Sequence, residues 1–465
     1  MDILFILVIL LFIIIFLLPL FFHFKFPEIR WNWDSIDLED ISFPKSFIWG
    51  TATAAHQVEG NCHNNWSEFE KGHKEDDTPN IKDFQLSGDA CDHWNRYKQD
   101  IQLINNLGVT HYRFSVEWSK IEPKKGQLNQ DAINHYSEVI DELILNGITP
   151  VITLHHFTHP IWFEDRGAFQ KKENIQYFVS FSKTIFNLYS NRVRCWCTIN
   201  EPGVFAVQGY FAGIFPPGKK NPKMTGKVLK NLLESHVQIY RGLKKQKNGK
   251  ESKIGIVKNI NQFDPWRRYL IFDWLFVLAL NHVFNWSTIK FFKTGILKIR
   301  IPGLIWETHR NPKAVDSLDF FGLNYYSHNH IKFNPLKPQF SELKYYKDDM
   351  MTDMPYTIYP EGIYRAIKFV SQLNKPIIIT ENGVADKDDL FRSTYINRYI
   401  YAMKIAMSEG YDVIGYYYWS LMDNFEWAFG FDMKFGLYEV DFKTQKRKLR
   451  EGSKSYIEIV NKNNG

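Results

Sequence analysis

The sequence predicts an α/β fold: a closed (β/α)8 barrel of the TIM type, preceded by a transmembrane helix. Three observations carry that expectation. From residue 43 onward, short strand-like runs alternate with amphipathic helical stretches. Two of those runs end in a glutamate, Glu201 and Glu381, followed at once by residues that cannot extend a strand, Pro202 and Asn382-Gly383. Residues 3–22 are almost wholly Ile, Leu, Phe and Val and carry no charge, and about twenty such residues are what a helix needs to cross the hydrocarbon core.

The N-terminus starts Met1-Asp2 and lacks both the basic start and the small-residue cleavage pattern of a signal peptide. Residues 1–24 are therefore expected to be a retained single-pass anchor, with membrane contact through residues 3–22. Lys25 and Arg30 follow the apolar run and Asp2 precedes it, which favours a cytoplasmic body by the positive-inside rule. Residues 25–42 are polar and read as a tether, and residues 43–465 as the barrel. With 57 Lys and Arg against 51 Asp and Glu, the net charge is +6. The basic residues are scattered, which speaks against a nucleic-acid partner. Cys62, Cys91, Cys195 and Cys197 make no metal pattern, and Cys195 and Cys197 share one strand face, so free thiols are expected. Two glycosylation sequons, at Asn65 and Asn285, lie in aromatic surroundings and carry no weight.

The expected barrel strands are 47–53, 110–117, 149–155, 193–200, 253–258, 318–324, 375–380 and 413–419. Helical periodicity marks 89–107, 132–146, 175–190, 229–245, 362–373 and 393–409. Residues 270–284 are strongly apolar, but the stretch is too short for a second span and holds Asp273, Asn281 and His282. It is expected to be a helix of the outer ring. Residues 331–356 show little periodicity and fall where a barrel enzyme grows substrate-facing loops.

Chemistry concentrates at the strand ends. Each carboxylate, taken singly, is as readily a helix cap or an ion-pair member. Two of them at the ends of buried strands point to glycoside hydrolysis, which needs one acid and one base or nucleophile. Around them the order of the chain brings Gln57, Arg113, His156, Asn200, Asn324, Tyr326, Trp419, Glu426 and Trp427. A sugar requires this mixture of polar contacts at its rim and an aromatic plate under its C–H face. Arg113 could instead anchor the barrel floor, and His156, Trp419 and Trp427 could be core residues.

At this point the chain resembles glycoside hydrolase family 1, the β-glucosidase and β-galactosidase family. The resemblance rests on Phe43-Pro44 with Phe47 and Gly50, Gln57-Val58-Glu59-Gly60, Tyr112-Arg113-Phe114-Ser115, Asn200-Glu201-Pro202, Asn324-Tyr325-Tyr326, Thr380-Glu381-Asn382-Gly383, and Trp419-Ser420 with Asp423-Asn424 and Glu426-Trp427, all in the family's order. His155-His156-Phe157-Thr158 and the compact length look most like archaeal members, including membrane-associated ones that act on alkyl β-glycosides. The resemblance implies a retaining exo-β-glycosidase that needs no cofactor and no metal. Glu381 would be its nucleophile and Glu201 its acid/base, with carboxyls about 5–5.5 Å apart. It further implies that Arg113 and Tyr326 hold Glu381 and that Asn200 binds the sugar 2-hydroxyl, with Asn324 alongside as a supporting residue. Gln57, His156, Glu426 and Trp427 would bind the other hydroxyls, and Trp419 would form the platform. Glu426 argues against 6-phospho-sugars, because two negative groups repel. The chain departs from the pattern at Phe157, where most relatives carry Trp, and at Phe429, where an acidic residue is common. The expected substrate is a small glycoside, or a glycolipid given the anchor. Transglycosylation, or a non-catalytic receptor on the same fold, are the competing readings.

Overall fold

A computed structural model describes residues 3–38, 42–337 and 340–464. Eight parallel strands close into a barrel in the cyclic order β1-β8-β7-β6-β5-β4-β3-β2. They are β1 (Ile48–Ala52), β2 (His111–Ser115), β3 (Thr149–Thr153), β4 (Cys195–Asn200), β5 (Lys253–Asn259), β6 (Phe320–Asn324), β7 (Ile377–Asn382) and β8 (Val413–Trp419). All eight expected strands are present, most of them trimmed at an end. β7 runs two residues further than expected, so Glu381 lies on the strand itself.

The helices of eight residues or more are α1 (Ile3–Phe12), α2 (Leu18–Lys25), α3 (His93–Asn106), α4 (Gln130–Leu145), α5 (Ile175–Tyr189), α6 (Pro222–Leu243), α7 (Ile271–Asn281), α8 (Ser287–Thr294), α9 (Glu361–Val370), α10 (Arg392–Ser408) and α11 (Lys454–Asn464). Apolar residues at helical spacing set their inner faces. On α4, Ile133, Tyr136, Val139, Ile140 and Leu143 are buried in turn. Asn129 caps α4 by accepting from the amides of Asp131 and Ala132.

A π-helical turn, Ile13–Leu17, joins α1 to α2. Among the described residues, Phe5–Lys25 is the one helix long and apolar enough to span a membrane, 21 residues in length with a mean hydropathy of 3.4 over its most apolar 18 residues. Its side chains are mostly exposed, as a lipid-facing helix requires and a core helix does not.

Three expectations change. Residues 26–36 do not form a loose tether. Trp31 N and Trp33 Nε1 both donate to Glu361 Oε1, at 2.7 and 3.0 Å. The Trp31 and Trp33 rings pack edge-on or tilted against Tyr364 and Tyr401. Polar composition concealed this, because two indoles and one buried acceptor suffice to dock the segment. Residues 39–41, also in the expected tether, lie outside the described residues.

Secondly, 270–284 is not a ring helix. α8 takes the ring position between β5 and β6. α7 covers a small separate sheet built from Gln262–Pro265, His328–Phe333 and Ser341–Lys344, with Phe263 and Ile331 in the shared core. Thirdly, 331–356 is not loop alone, since its first part belongs to that sheet. All four cysteines are free, and both sequon asparagines are buried.

Candidate active site

Glu201 and Glu381 emerge at the same end of the barrel, each where the strand register breaks. β4 and β5 shift register between Cys197 and Asn200. β7 shifts against β6 between Ile379 and Glu381, and against β8 between Ile379 and Asn382. Such bulges re-aim side chains at the rim of a barrel. Glu201 also adopts the left-handed region, at φ 46°, a conformation costly for a side chain with a Cβ and concentrated at functional sites. Glu201 stands at the cap position of the helix Pro202–Val207, yet its carboxylate caps nothing. The helix-cap alternative is thereby excluded.

The glycine after Asn382 follows from packing. A Cβ on Gly383 would lie 1.7 Å from the Trp419 carbonyl oxygen, so only glycine lets β7 and β8 approach there. The Asn382 amide donates to the Tyr325 carbonyl and to the Tyr395 hydroxyl, both at 2.7 Å, which fixes the end of β7.

One hydrogen-bond network runs between the two carboxylates. Arg113 Nη1 donates to Glu381 Oε1 at 2.6 Å, and Tyr326 Oη donates to Glu381 Oε2 at 2.8 Å. Arg113 Nη2 donates to Asn200 Oδ1 at 2.8 Å. Asn324 Nδ2 reaches Asn200 Oδ1 at 3.3 Å and Glu201 Oε1 at 2.8 Å. Thr380 Oγ1 fixes the Asn324 amide by donating to its Oδ1 at 2.7 Å. Because Asn200 Oδ1 accepts from Arg113, its Nδ2 is the donor toward His156 Nε2, at 3.0 Å. Burial, with Arg113 and His155 adding, holds His156 well below the usual imidazole range, so the ring is neutral. Its proton then sits on Nδ1, a buried donor with no protein partner.

A cavity of about 510 Å³ opens over these groups. His156, Asn200, Glu201, Tyr326, Glu381, Trp419, Glu426 and Trp427 all line it. Gln57, Arg113 and Asn324 are buried directly behind its wall. Gln57 Nε2 donates to Asn424 Oδ1, the Phe425 carbonyl and Glu426 Oε2, and Gln57 Oε1 has no protein partner. All eleven expected site residues are thus brought to one place. A larger depression, about 750 Å³, lies beside Trp94 and His135, and neither Glu201 nor Glu381 borders it.

The electrostatics separate the two glutamates. Burial, followed by the charge of Glu381, raises the Glu201 carboxyl to about 7, although Asn324, Lys258 and Arg113 pull it down. Burial opposes the charge on Arg113, but Glu381 outweighs it and the guanidinium stays charged. Burial and the two glutamates hold the Tyr326 hydroxyl far above its ordinary range, so it remains a donor. Burial also pushes the Glu426 carboxyl up.

Lys258 was not foreseen. It is fully buried and donates to the Asn259 carbonyl. Burial lowers it to about 8, against the charge of Glu201. A lysine after the apolar run 254–257 of β5 was the available signal. Tyr356, Met354 and Phe435 also line the cavity from loops that carry no periodic pattern.

A closed (β/α)8 barrel whose C-terminal mouth gathers paired glutamates, amides and indoles defines an O-glycosyl hydrolase. The sequence pattern of glycosyl hydrolase family 1 matches residues 39–465. The chain belongs to that family and is β-glucosidase-like. It is 34% identical over 447 residues to beta-glucosidase A of Thermotoga maritima, covering 91% of this chain and 98% of that protein. The solved beta-glycosidase from Pyrococcus horikoshii superposes with a TM-score of 0.80 at 38% identity, covering 90% of this chain and 95% of that one. The beta-glucosidase from Thermotoga maritima in complex with deoxynojirimycin superposes with a TM-score of 0.80 at 32% identity, covering 91% and 99%.

Proposed function

We propose that the chain is a retaining exo-β-glycosidase acting by double displacement, with Glu381 as nucleophile and Glu201 as acid/base. The observation that carries this reading is the contrast between two buried carboxylates in one network. Glu381 accepts from two strong donors, the Arg113 guanidinium and the Tyr326 hydroxyl. Glu201 has one neutral amide donor and is raised to about 7.

In the first step Glu381 attacks the anomeric carbon, and Glu201 gives its proton to the departing glycosidic oxygen. The aglycone leaves as a neutral alcohol and the sugar remains as an ester of Glu381. That esterification removes the Glu381 charge, so the Glu201 acidity increases. Glu201 can then take a proton from water as it attacks the same carbon, and Glu381 departs with the β-configuration kept. Asn200 would bind the 2-hydroxyl, an interaction that strengthens in the transition state. His156 Nδ1 and Gln57 Oε1, buried and unpartnered, would find their partners on the sugar. Trp419 would be the platform, and Glu426 and Trp427 would hold the remaining hydroxyls. Glu381→Ala tests the assignment. Turnover should disappear, and azide should restore it with an α-glycosyl azide as product. Wild-type turnover in that variant would overturn the roles.

We further propose that residues 1–24 are a membrane anchor, with residues 43–465 as the catalytic barrel on the cytoplasmic side. The aglycone is then an alkyl or lipid chain. Phe263, Leu280, Phe284, Ile331 and Leu343, which line the cavity, support this. Octyl β-glucoside should be turned over more efficiently than methyl β-glucoside, and equal efficiency would count against it. The same apolar wall would seat a glycolipid acceptor, making transglycosylation the second reading. Product analysis with added alkyl glycoside separates the two.

A further inference from the structure

α7 belongs to two sites at once. Ile271, Trp274 and Val277 are buried against Phe263 and Ile331 of the small sheet. Leu280 and the following Phe284 face the catalytic cavity. Leu18 and Phe22 of α2, and Phe26 just beyond it, pack on the same apolar cluster. The Trp274 ring centroid lies 5.6 Å from Phe22 and 6.3 Å from Phe26. Arg268, just before α7, donates to the carbonyls of His23 and Phe26. The end of the apolar N-terminal helix is therefore fixed to the wall of the active site.

The outer face of α7 is apolar and half-exposed. Phe272 is 49% exposed and Leu275 51%, and Tyr269 before them is 77% exposed. The helix has one charged residue, Asp273, which is buried and held by Arg267 at 2.8 and 3.0 Å. Phe333 stacks on Phe272, and the hairpin it belongs to exposes Leu336, Phe340 and Leu343. Contiguous exposed apolar surface of this kind marks a protein or membrane contact. Two facts select the bilayer. The patch continues directly into the Phe5–Lys25 helix. Lys25 stands where the two meet, a position suited to anionic headgroups, and Tyr269 is a residue type enriched at the membrane interface.

We infer that α7 and the adjoining residues 328–337 and 340–344 form a second bilayer contact, lying in the membrane plane, so that the apolar wall of the catalytic cavity opens onto lipid. This rests on the reading of the N-terminal helix as a membrane span. An amphiphilic β-glycoside would then present its sugar to Glu201 and Glu381 while its tail slides along Leu280 and Phe284 without crossing water.

The test uses the full chain in phosphatidylcholine vesicles containing phosphatidylglycerol. Spin labels go on Phe272→Cys and Leu275→Cys, with Leu145→Cys on the far end of α4 as control. Labels at 272 and 275 should collide with dissolved oxygen and be shielded from a water-soluble nickel chelate, with the reverse at 145. Equal chelate exposure at all three sites overturns the inference. So does label–label broadening that persists in detergent, which would assign the face to a second copy of the chain. An alkaline carbonate wash separates the underlying reading. Release of the wild type from vesicles sinks the anchor, whereas retention with water-exposed labels sinks only the α7 contact. A Phe272→Glu, Leu275→Glu variant should lower the octyl-to-methyl glucoside ratio of kcat/KM on vesicles about 10-fold and leave nitrophenyl glucoside turnover unchanged. An unchanged ratio overturns the inference.

Discussion

Glu201 and Glu381 are the same side chain, on strands of one barrel, with their carboxylates in one cavity. Their surroundings differ in kind. Glu381 faces a guanidinium and a phenol, and each of its oxygens is taken. Glu201 faces an amide, a half-covered apolar wall containing Val204 and Ile214, and the charge of its counterpart. The difference teaches that the proposed division of labour between the two carboxylates resides in what their neighbours donate, not in the strands that carry them.

The largest break in that contrast is Glu201→Gln. For methyl β-glucoside, whose leaving group needs a proton, kcat/KM should fall by roughly 10²–10⁴. For a dinitrophenyl glucoside, whose leaving group does not, it should change by less than about tenfold. A uniform loss on both substrates would deny Glu201 its proton-transfer role. Next is Tyr326→Phe, which removes one donor from Glu381, the proposed nucleophile. A hydrogen bond to a charged group contributes about 1.5–3 kcal/mol, so a loss of roughly 10–100-fold in kcat is expected.

A stability measurement sharpens the same comparison. The Glu201 carboxyl lies at about 7 in the folded chain, above the ordinary value near 4.3. Its contribution is therefore fully present below pH ~4 and is lost as the pH rises through 7. Glu201→Gln should be the more stable protein at pH 8, by on the order of 2 kcal/mol, with the gap closing toward pH 4. Denaturant midpoints at the two pH values check this. The smallest effect concerns Lys258, whose charge pulls Glu201 downward. Lys258→Met should move the alkaline limb of the kcat/KM profile upward without moving the acid limb, and an unmoved alkaline limb would show that Lys258 serves packing alone.

The barrel was legible because parallel strands buried on both faces read as short apolar runs. β7, with Ile377, Ile378 and Ile379 before Thr380, is the plainest. The site was legible because its side chains follow those runs in chain order. Three things were hidden. The register breaks beside Glu201 and Glu381 have no composition of their own. The left-handed backbone at Glu201 is imposed by tertiary packing, since Asn-Glu-Pro does not demand it. α7 reads as one more amphipathic helix because periodicity records how much of a helix is buried, not which layer buries it. Residues 26–36 were misread for a related reason. Two indoles among acidic neighbours look solvated until their acceptor, Glu361, arrives from more than three hundred residues away.

That last contact bears on how a water-soluble form of the enzyme should be cut. Starting the chain at Phe43 would strip Trp31 and Trp33 from Tyr364, Tyr401 and Glu361. It would leave a fresh greasy scar and an orphaned carboxylate on the flank of the barrel. Starting near Pro27 discards the apolar Phe5–Lys25 helix while the strap that closes that flank stays buckled.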